Sequence, residues 1–493
     1  MANRAVLLKA PARAPGPFTA HRTLLTLLAA GALLRIFALS AFPEVQADEG
    51  LWTNSAKNFV EFGDWFMDGR THLFLSPLFS GLAAISFWLL GPSIAAARLI
   101  SAVAGVASVA LLYAVVARAC RDRRLALVAA AVLGLNQWSV IQSREALVES
   151  LQVALCLASL YVALGERRWS AAAAGVVFGL ALLAKTNAIF LAPVLAAYLF
   201  LRTRDNQTQS YTASLRSPLL FLGVALAIAG SVYATLYFAY PGRFVQAFRF
   251  ELDGIHFEQL SHPLIRVGRF GLDPEQAART ILALVREAPF LIVLAALGAG
   301  VWSVRRPPGS AVFALWLVVG LAFFLCQLFQ PLRYFQLLSP PLAVAAALAI
   351  LEFGRATLVV RTSRRSLPGV ALAICISFEL LYLAASAFAN RARLLPAIVP
   401  WVTTHVPRDA SIMAAGYVCT DLPNRAYAHY WLARTPEQLL ENVRELQIRY
   451  LIVDSREWAP SLREEVARRF GPPLQSWRFG AVYAINDSML TVP

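Results

Sequence analysis

The stretch TLLTLLAAGALLRIFALSAF at residues 23–42, followed by QADEG at residues 46–50, decides how the rest of the chain is interpreted. Its apolar part is about as long as a bilayer is thick and basic residues precede it, which predicts a first membrane span with a cytoplasmic N-terminus. A cleaved signal peptide is disfavoured because the run is long and no A-x-A-like site ends it. Asp48 and Glu49 then lie just outside the membrane, where they either serve a function or cap the next helix.

The composition describes a membrane protein. The chain has 493 residues, of which 58% are hydrophobic and 15% are charged. Soluble proteins of this length do not have that profile, so we predict a polytopic α-helical membrane protein. The net charge of +15 fits basic cytoplasmic loops and anionic lipids, and we predict membrane lipids as partners and no nucleic acid.

The positive-inside rule decides the topology at residues 73–91. If this apolar segment lies in the interface and does not cross, nearly every short Arg-rich loop becomes cytoplasmic. We therefore predict a juxtamembrane helix there and eleven spans in all. They cover residues 23–42, 98–117, 125–142, 150–164, 169–184, 187–201, 218–240, 288–304, 310–329, 334–352 and 367–389. The loops 43–97 and 241–287 and the turns near residues 144–149 and 185 then share the outer face of the cytoplasmic (inner) membrane.

The character of the sequence changes after residue 389. Residues 411–413 and 450–453 read as buried strands, residues 436–446 and 460–470 as amphipathic helices, and residues 477–485 as a closing strand. We predict a transmembrane domain at 1–389 and an extracytoplasmic α/β domain at 390–493. Asp454 ends the central strand, where an Asp is more often a cap or turn former than a site residue.

A second acidic feature follows at SREALVES, residues 143–150. Glu145 and Glu149 are four residues apart and share one helical face, and Arg144 is close enough to hold one of them ionised. A local charge cluster that stabilises a tight turn is the alternative. The predicted location favours function, because the same outer surface carries Asp48 and Glu49.

Taken together, these residues resemble the membrane glycosyltransferases of the GT-C fold. Within that class they are similar to the protein O-mannosyltransferase and aminoarabinose-transferase group, which uses polyprenyl-phosphate sugars. The resemblance covers about the first 350 residues. It rests on Asp48-Glu49, the proline-containing helix from His72 to Gly91, Arg98, Arg144 with Glu149-Ser150, GLALLAK at 179–185, and Leu332-Arg333-Tyr334 with Pro340-Pro341. The chain departs from the pattern by having Glu149 in place of Asp and a single proline near Ser76-Pro77.

The chemistry of such a transfer needs one carboxylate and several cations. A phosphate leaves as a stable anion, so no acid has to protonate it. We predict Asp48 as the general base in an inverting in-line displacement. Glu49 and Glu149 would orient the acceptor or hold a divalent metal ion, the one candidate cofactor.

The donor phosphate calls for cations. Arg333 and Lys185 lie at outer span ends and match family positions, while Arg266 and Arg269 in the long loop are further candidates. Snorkelling of Arg and Lys at helix ends is the alternative. Arg98, Arg144, Glu145 and Tyr334 are predicted to support the site.

Histidines on the predicted outer loops are the candidate metal ligands. They are His72, His256 and His262. The six-residue spacing of the last two is not a recognised ligand pattern, and solvated loop histidines are the alternative.

The predicted function is transfer of a sugar from a polyprenyl-phosphate donor to an extracytoplasmic lipid, glycan or protein. The identity of the sugar stays open. A secondary transporter would place its charges near the bilayer centre, and here they concentrate at outer span ends. A non-catalytic envelope scaffold would bind partners through residues 390–493 and tolerate loss of the Asp48 carboxylate.

Overall fold

The computed structural model describes residues 17–65, 73–205, 211–253, 265–267, 270–328, 330–359, 367–389, 395–428, 435–455 and 458–486. Most of these residues form α-helices. The first half contains α1 (Pro17–Ile36), α2 (Ala47–Phe62), α3 (Pro77–Leu90), α4 (Ile94–Ala119), α5 (Arg123–Leu135), α6 (Gln137–Gln142), α7 (Glu149–Ala163), α8 (Ser170–Ala184), a 3₁₀ turn (Thr186–Phe190), α9 (Leu191–Asp205), α10 (Tyr211–Ala239) and α11 (Pro241–Asp253).

The second half begins with a short ribbon and returns to helices. Strands β1 (Ile265–Val267) and β2 (Phe270–Leu272) pair antiparallel. They are followed by α12 (Pro274–Glu287), α13 (Pro289–Arg305), α14 (Ala311–Leu325), a 3₁₀ segment (Leu332–Leu338), α15 (Ser339–Val359), α16 (Leu367–Ala389) and α17 (Leu395–His405). One apolar core joins α4, α5, α7, α8, α9, α13, α14 and α15.

Several helices are apolar enough to cross a bilayer. Within the described ranges, four helical segments are both long enough and apolar enough to cross a membrane: Ile94–Ala119, Thr186–Arg204, Ser214–Ala239 and Leu332–Gly354. Helices α12 and α13 together would be a fifth such segment, but the two helices meet at an angle of 110°. Further apolar helices, including α7, α8 and α14, have only 10–17 residues. Multiple membrane crossing is thus consistent with the helices, and the count of eleven stays a prediction.

Helix α3 has the dimensions of an interfacial helix. Its 14 residues span about 21 Å, which is shorter than a hydrocarbon core of about 30 Å. Phe79 and Phe87 are buried, whereas Trp88 and Leu89 are 77% and 65% exposed. The juxtamembrane position stays a prediction, since α7, α8 and α14, which are predicted spans, are of similar length.

The helix within the predicted span at 125–142 breaks at Asn136. This residue has extended backbone (φ −62°, ψ 126°), and its side-chain oxygen accepts from the Ser139 amide at 3.2 Å. Glu379 of α16 accepts from the Gln137 backbone N–H at 2.7 Å and from the Asn136 side chain at 3.1 Å. The first turn of α6 is therefore capped at the break.

The C-terminal region contains a five-stranded sheet in the order β4-β3-β5-β7-β6. Its elements are β3 (Ser411–Ala414), α18 (Gly416–Cys419), β4 (Ala426–Ala428), α19 (Pro436–Glu445), β5 (Ile448–Asp454), α20 (Pro460–Phe470), β6 (Gln475–Trp477) and β7 (Gly480–Ala484). Strands β3, β4 and β5 are parallel, and β7 is antiparallel to β5 and β6. Asp454 accepts a hydrogen bond from the Tyr417 hydroxyl and is buried.

Helix α2 packs directly on this α/β region. The polar face of α2 is buried there, with Asn54 Nδ2 donating to Ala426 O at 3.0 Å and Thr53 Oγ1 lying 2.7 Å from Thr420 Oγ1. Lys57 Nζ donates to Cys419 O at 3.2 Å and to Asn424 O. The helix that begins at Ala47 is thus held by backbone carbonyls of the C-terminal region.

Candidate functional site

The N-terminus of α2 places two acidic side chains in different surroundings. Asp48 is about one third exposed, and its side chain pairs with Arg333 Nη1. Glu49 is fully buried. Adjacent residues on a helix point about 100° apart, so the two carboxylates serve different neighbours.

Glu49 has hydrogen-bond partners on both oxygens. Arg98 holds it in a bidentate pair, Nε to Oε2 and Nη2 to Oε1, each at 2.7 Å. The Ala146 amide donates to Oε2 at 2.7 Å, and the Gln46 amide donates to Oε1 at 3.0 Å. A carboxylate in this position ties α2, α4 and the 145–149 turn together and has little capacity left for a substrate or a metal ion. The geometry therefore assigns Glu49 a positioning role, which differs from the predicted catalytic one and agrees with the cap alternative.

Glu149 begins α7 and is buried. Its Oε1 accepts from Lys185 Nζ at 2.6 Å and lies 3.7 Å from Arg333 Nε. Within the described part of the chain, its Oε2 has no hydrogen-bond partner. Arg333 thereby joins Asp48 to Glu149, so residues far apart in the sequence meet at one point.

Lys185 and Arg333 lie against aromatic rings. Lys185 Nζ is 4.1 Å from the centroid of the Tyr334 ring and 5.2 Å from that of Trp52. The Arg333 guanidinium carbon lies 5.6 Å from the Tyr334 ring. Cation–π contacts of this kind help to hold the two cations near the carboxylates.

Among the described residues, Arg144 donates to backbone carbonyls and not to a glutamate, which corrects the sequence prediction. Its guanidinium donates to four backbone carbonyls at 2.7–3.1 Å, those of Leu34, Phe37, Ala38 and Phe42. These carbonyls belong to the end of α1 and the loop after it, where a helix leaves acceptors unsatisfied. Arg144 therefore positions the segment that leads into Asp48.

Glu145 is buried beside the other carboxylates. Its Oε1 accepts from Gln46 Nε2 at 2.5 Å, and its Oε2 has no partner among the described residues. Burial, together with the nearby charge of Glu49, raises the pKa of the Glu145 carboxyl well above its ordinary value.

Arg333 also lines a cavity of about 620 Å³. Loop 42–46, α6, Glu145 and the segment 331–333 form most of its wall. The other lining residues are Leu147, Glu287, Tyr382 and Ser386. A second, apolar groove of about 910 Å³ runs between α1 and α16, and Phe42 lines both spaces.

The other predicted residues are outside this cluster or outside the described residues. Arg266 lies exposed on β1. Arg269, His72, His256 and His262 fall in parts of the chain that the structure does not describe, so their roles stay predictions. In the described ranges, His, Cys, Asp and Glu form no group of three that could hold a metal ion. Asp48 and Glu149 are each paired with a cationic side chain, an arrangement that differs from carboxylates gathered around a metal.

Sequence reasoning missed the glutamines of the site. Gln46 caps α2, while Gln137 and Gln142 line the cavity from α6. Two glutamines in a predicted span, 125–142, were the available signal. An uncharged polar residue at the end of a span is, like a charged one, a candidate for a functional role.

Comparison with known proteins gives one family match for part of the chain. Residues 75–235 match the family described as dolichyl-phosphate-mannose-protein mannosyltransferase. The matched segment is about a third of the chain, so it shows a likeness to that family. No match was found among curated protein sequences.

Two solved structures show how far the fold extends. ArnT from Cupriavidus metallidurans, bound to undecaprenyl phosphate, superimposes with a TM-score of 0.67 at 13% identity. The match covers 96% of this chain and 99% of ArnT. The oligosaccharyltransferase of Archaeoglobus fulgidus, tethered to an acceptor peptide, gives a TM-score of 0.56 at 12% identity. It covers 90% of this chain and 70% of that one. At these identities the likeness is one of fold.

Proposed function

We propose that this enzyme transfers a sugar from a polyprenyl-phosphate donor to an acceptor outside the cytoplasmic membrane. The observation that carries the proposal is the cluster in which Arg333 pairs with Asp48 and approaches Glu149, which also pairs with Lys185. It puts one accessible carboxylate next to two cations that suit a phosphate.

In the proposed reaction Asp48 is the general base. Its carboxylate removes a proton from the acceptor hydroxyl or amine while the acceptor atom attacks the anomeric carbon. The bond from that carbon to the phosphate oxygen breaks, and the electron pair leaves with the polyprenyl phosphate. Arg333 and Lys185 stabilise this anion, and attack opposite to the leaving group inverts the anomeric centre.

The ion pair between Asp48 and Arg333 implies that the donor binds before Asp48 accepts a proton. Arg333 has five N–H donors, and a lipid phosphate is a better partner for them than one carboxylate. Donor binding would draw Arg333 toward the phosphate and leave Asp48 free to accept the proton. Glu149 keeps Lys185 in place and holds Arg333 from the other side.

The surroundings of the cluster suit a lipid-borne donor. The groove between α1 and α16 is lined by apolar residues such as Leu33, Phe37 and Leu383, and by the side chain of Arg144. Phe37 is 71% exposed, as expected for a side chain that faces lipid acyl chains. ArnT, which shares the fold, was solved with undecaprenyl phosphate.

The proposed arrangement in the membrane follows the sequence prediction. Residues 1–389 form the multi-pass catalytic domain of an inner-membrane protein, and residues 390–493 form an α/β domain on the extracytoplasmic face. The N-terminus is cytoplasmic. Basic residues in the short loops support this orientation.

A transfer assay in membranes tests the proposal. Labelled sugar is supplied on undecaprenyl phosphate to membranes that contain wild type, Asp48→Asn or the control Asp409→Asn. Asp409 is exposed in the C-terminal region, so its substitution makes the same chemical change elsewhere. Loss of a general base predicts a decrease of about 10²–10⁴-fold for Asp48→Asn alone. Equal transfer by all three proteins would remove Asp48 from the mechanism, and uptake of substrate without transfer would favour a transporter.

A further inference from the structure

The backbone on both sides of Lys185 is held by side chains from other helices. Helix α8 ends at Ala184, and Lys185 follows it in extended conformation (φ −166°, ψ 136°). The Ser76 hydroxyl donates to the Ala184 carbonyl oxygen. Gln152 Nε2 donates to the Lys185 carbonyl oxygen, which also accepts from the Ala188 amide at 3.2 Å. Ser76 and Gln152 are fully buried, so water competes little for the bonds that they make at this helix end.

The two side-chain bonds fix the direction of the Lys185 side chain. The Ala184 carbonyl belongs to the peptide plane before the Lys185 Cα, and the Lys185 carbonyl belongs to the plane after it. When both planes are held, φ and ψ of Lys185 are fixed, and so is the direction of its Cα–Cβ bond. Gln152 follows Glu149 by three residues on α7, so the two lie on one face of the helix. That face holds Lys185 at two points, the backbone through Gln152 and the ammonium through Glu149 at 2.6 Å.

Ser76 makes an unusual contact for a serine at the start of a helix. It occupies the N-cap position of α3, where serine usually bonds to the first turn of its own helix. Here it makes no cap bond, and its hydroxyl bonds to the end of α8. Ser80, one turn further along α3, is also fully buried, but its hydroxyl has no hydrogen-bond partner among the residues that the structure describes. Of these two buried hydroxyls, only that of Ser76 contacts the backbone next to Lys185.

We propose that Ser76 and Gln152 are positioning residues that orient the Lys185 ammonium toward the donor phosphate. The inference rests on the proposed function, in which Lys185 and Arg333 stabilise the phosphate, and adds to it how the lysine is held. Both cations approach the same oxygen of Glu149, Lys185 Nζ at 2.6 Å and Arg333 Nε at 3.7 Å. A lysine side chain has a flexible four-carbon stem. A fixed backbone therefore limits how far its ammonium moves from that point.

A comparison of two lipids tests the assignment. Purified protein in detergent is titrated with undecaprenyl phosphate and with undecaprenol, which has the same chain and no phosphate. Lys185→Met is expected to bind undecaprenyl phosphate about tenfold more weakly, because one cation is lost from the phosphate site. Ser76→Ala keeps the lysine and releases its backbone, so we expect the same binding to weaken about threefold to fivefold. Binding of undecaprenol stays unchanged in both variants.

Control variants separate positioning from general packing. Ser80→Ala removes a hydroxyl from the same helix and is expected to bind both lipids as wild type does. Combined with Lys185→Met, Ser76→Ala is expected to cause no further loss, since it acts only through the lysine. Gln152→Met keeps the side-chain length and loses the donor. It is expected to behave like Ser76→Ala and serves as the second variant if Ser76→Ala does not fold.

The outcomes distinguish failure of the inference from failure of the proposed function. Wild-type binding of undecaprenyl phosphate by either folded variant, Ser76→Ala or Gln152→Met, would overturn the inference. Equal weakening of both lipids, or a loss that adds to that of Lys185→Met, would also overturn it, because either result indicates a general packing role. Wild type that binds the two lipids equally and transfers no sugar would instead refute the proposed function, and the inference with it.

Discussion

Glu49 and Arg98 show that the most buried charges of this site are structural. Both side chains are fully buried, and Arg98 also donates to Leu39 O and Pro43 O at 2.7 and 2.9 Å. A buried bidentate pair whose remaining donors and acceptors are satisfied holds its segments in one geometry. Asp48 is accessible because its neighbour Glu49 holds this helix end in place.

Breaking this pair is expected to reduce stability strongly. Glu49→Gln leaves Arg98 as a buried charge without its counterion, which typically costs about 3–5 kcal/mol. Glu352→Gln is the control, because its pair with Arg305 is partly exposed and such pairs contribute about 0–1 kcal/mol. Thermal unfolding in detergent should show a much larger loss of Tm for Glu49→Gln. Equal losses for the two variants would contradict the structural role of Glu49.

Titration of Glu145 makes the free energy of unfolding depend on pH. Its folded-state pKa is raised above the ordinary 4.5, so the folded state binds the proton more tightly than the unfolded state. The term therefore favours folding at acidic pH and is lost as pH rises through the raised pKa. Glu145→Gln removes this term. The Tm of the variant relative to wild type should be higher at neutral pH than at acidic pH, and a difference that does not change with pH would contradict the prediction.

Helix α2 connects the site to the C-terminal region. Gly50 lies two residues after Asp48, and a Cβ atom at Gly50 would lie 1.6 Å from the carbonyl oxygen of Gly416. Further along the helix, Lys57 is fully buried, and burial lowers its pKa to about 8. The position of Asp48 thus depends on the contact between α2 and α18.

Gly50→Ala is expected to displace the N-terminus of α2. The added methyl group meets backbone on the facing element, so the helix must shift and Asp48 moves with it. Gly81→Ala in α3 is the matched control, since nothing lies within 4 Å of its Cβ position and alanine favours a helix by about 1 kcal/mol. Transfer and Tm should fall for Gly50→Ala and be maintained for Gly81→Ala. Normal transfer by Gly50→Ala would show that the α2–α18 contact does not position the base.

At the scale of the whole molecule, local sequence patterns predicted secondary-structure elements. They did not predict which distant residues contact one another. The strands at 411–413 and 450–453 and the helices at 436–446 and 460–470 closely match β3, β5, α19 and α20, because alternation and amphipathicity are local. Strand β4 was missed because three residues carry no pattern. The break at Asn136 depends on Glu379, more than 240 residues away, and local sequence does not reveal such a partner.

The site likewise contains features that the sequence predicted and features that it did not. The resemblance to GT-C enzymes predicted that four side chains lie close together: Asp48, Glu149, Lys185 and Arg333. Composition alone does not predict this proximity. The saturation of Glu49 by Arg98 and the contacts of Arg144 with backbone carbonyls were not predictable, because each partner comes from a distant segment. Side-chain type suggested which residues matter, and only the fold shows which carboxylate is accessible.

The central claim is a single displacement in which the acceptor, deprotonated by Asp48, attacks the anomeric carbon directly. The most direct test is the anomeric configuration of the product, determined by NMR after transfer from a polyprenyl-phosphate sugar of known configuration. The account predicts an inverted centre. Retention would contradict it, because a single in-line displacement always inverts the carbon that is attacked.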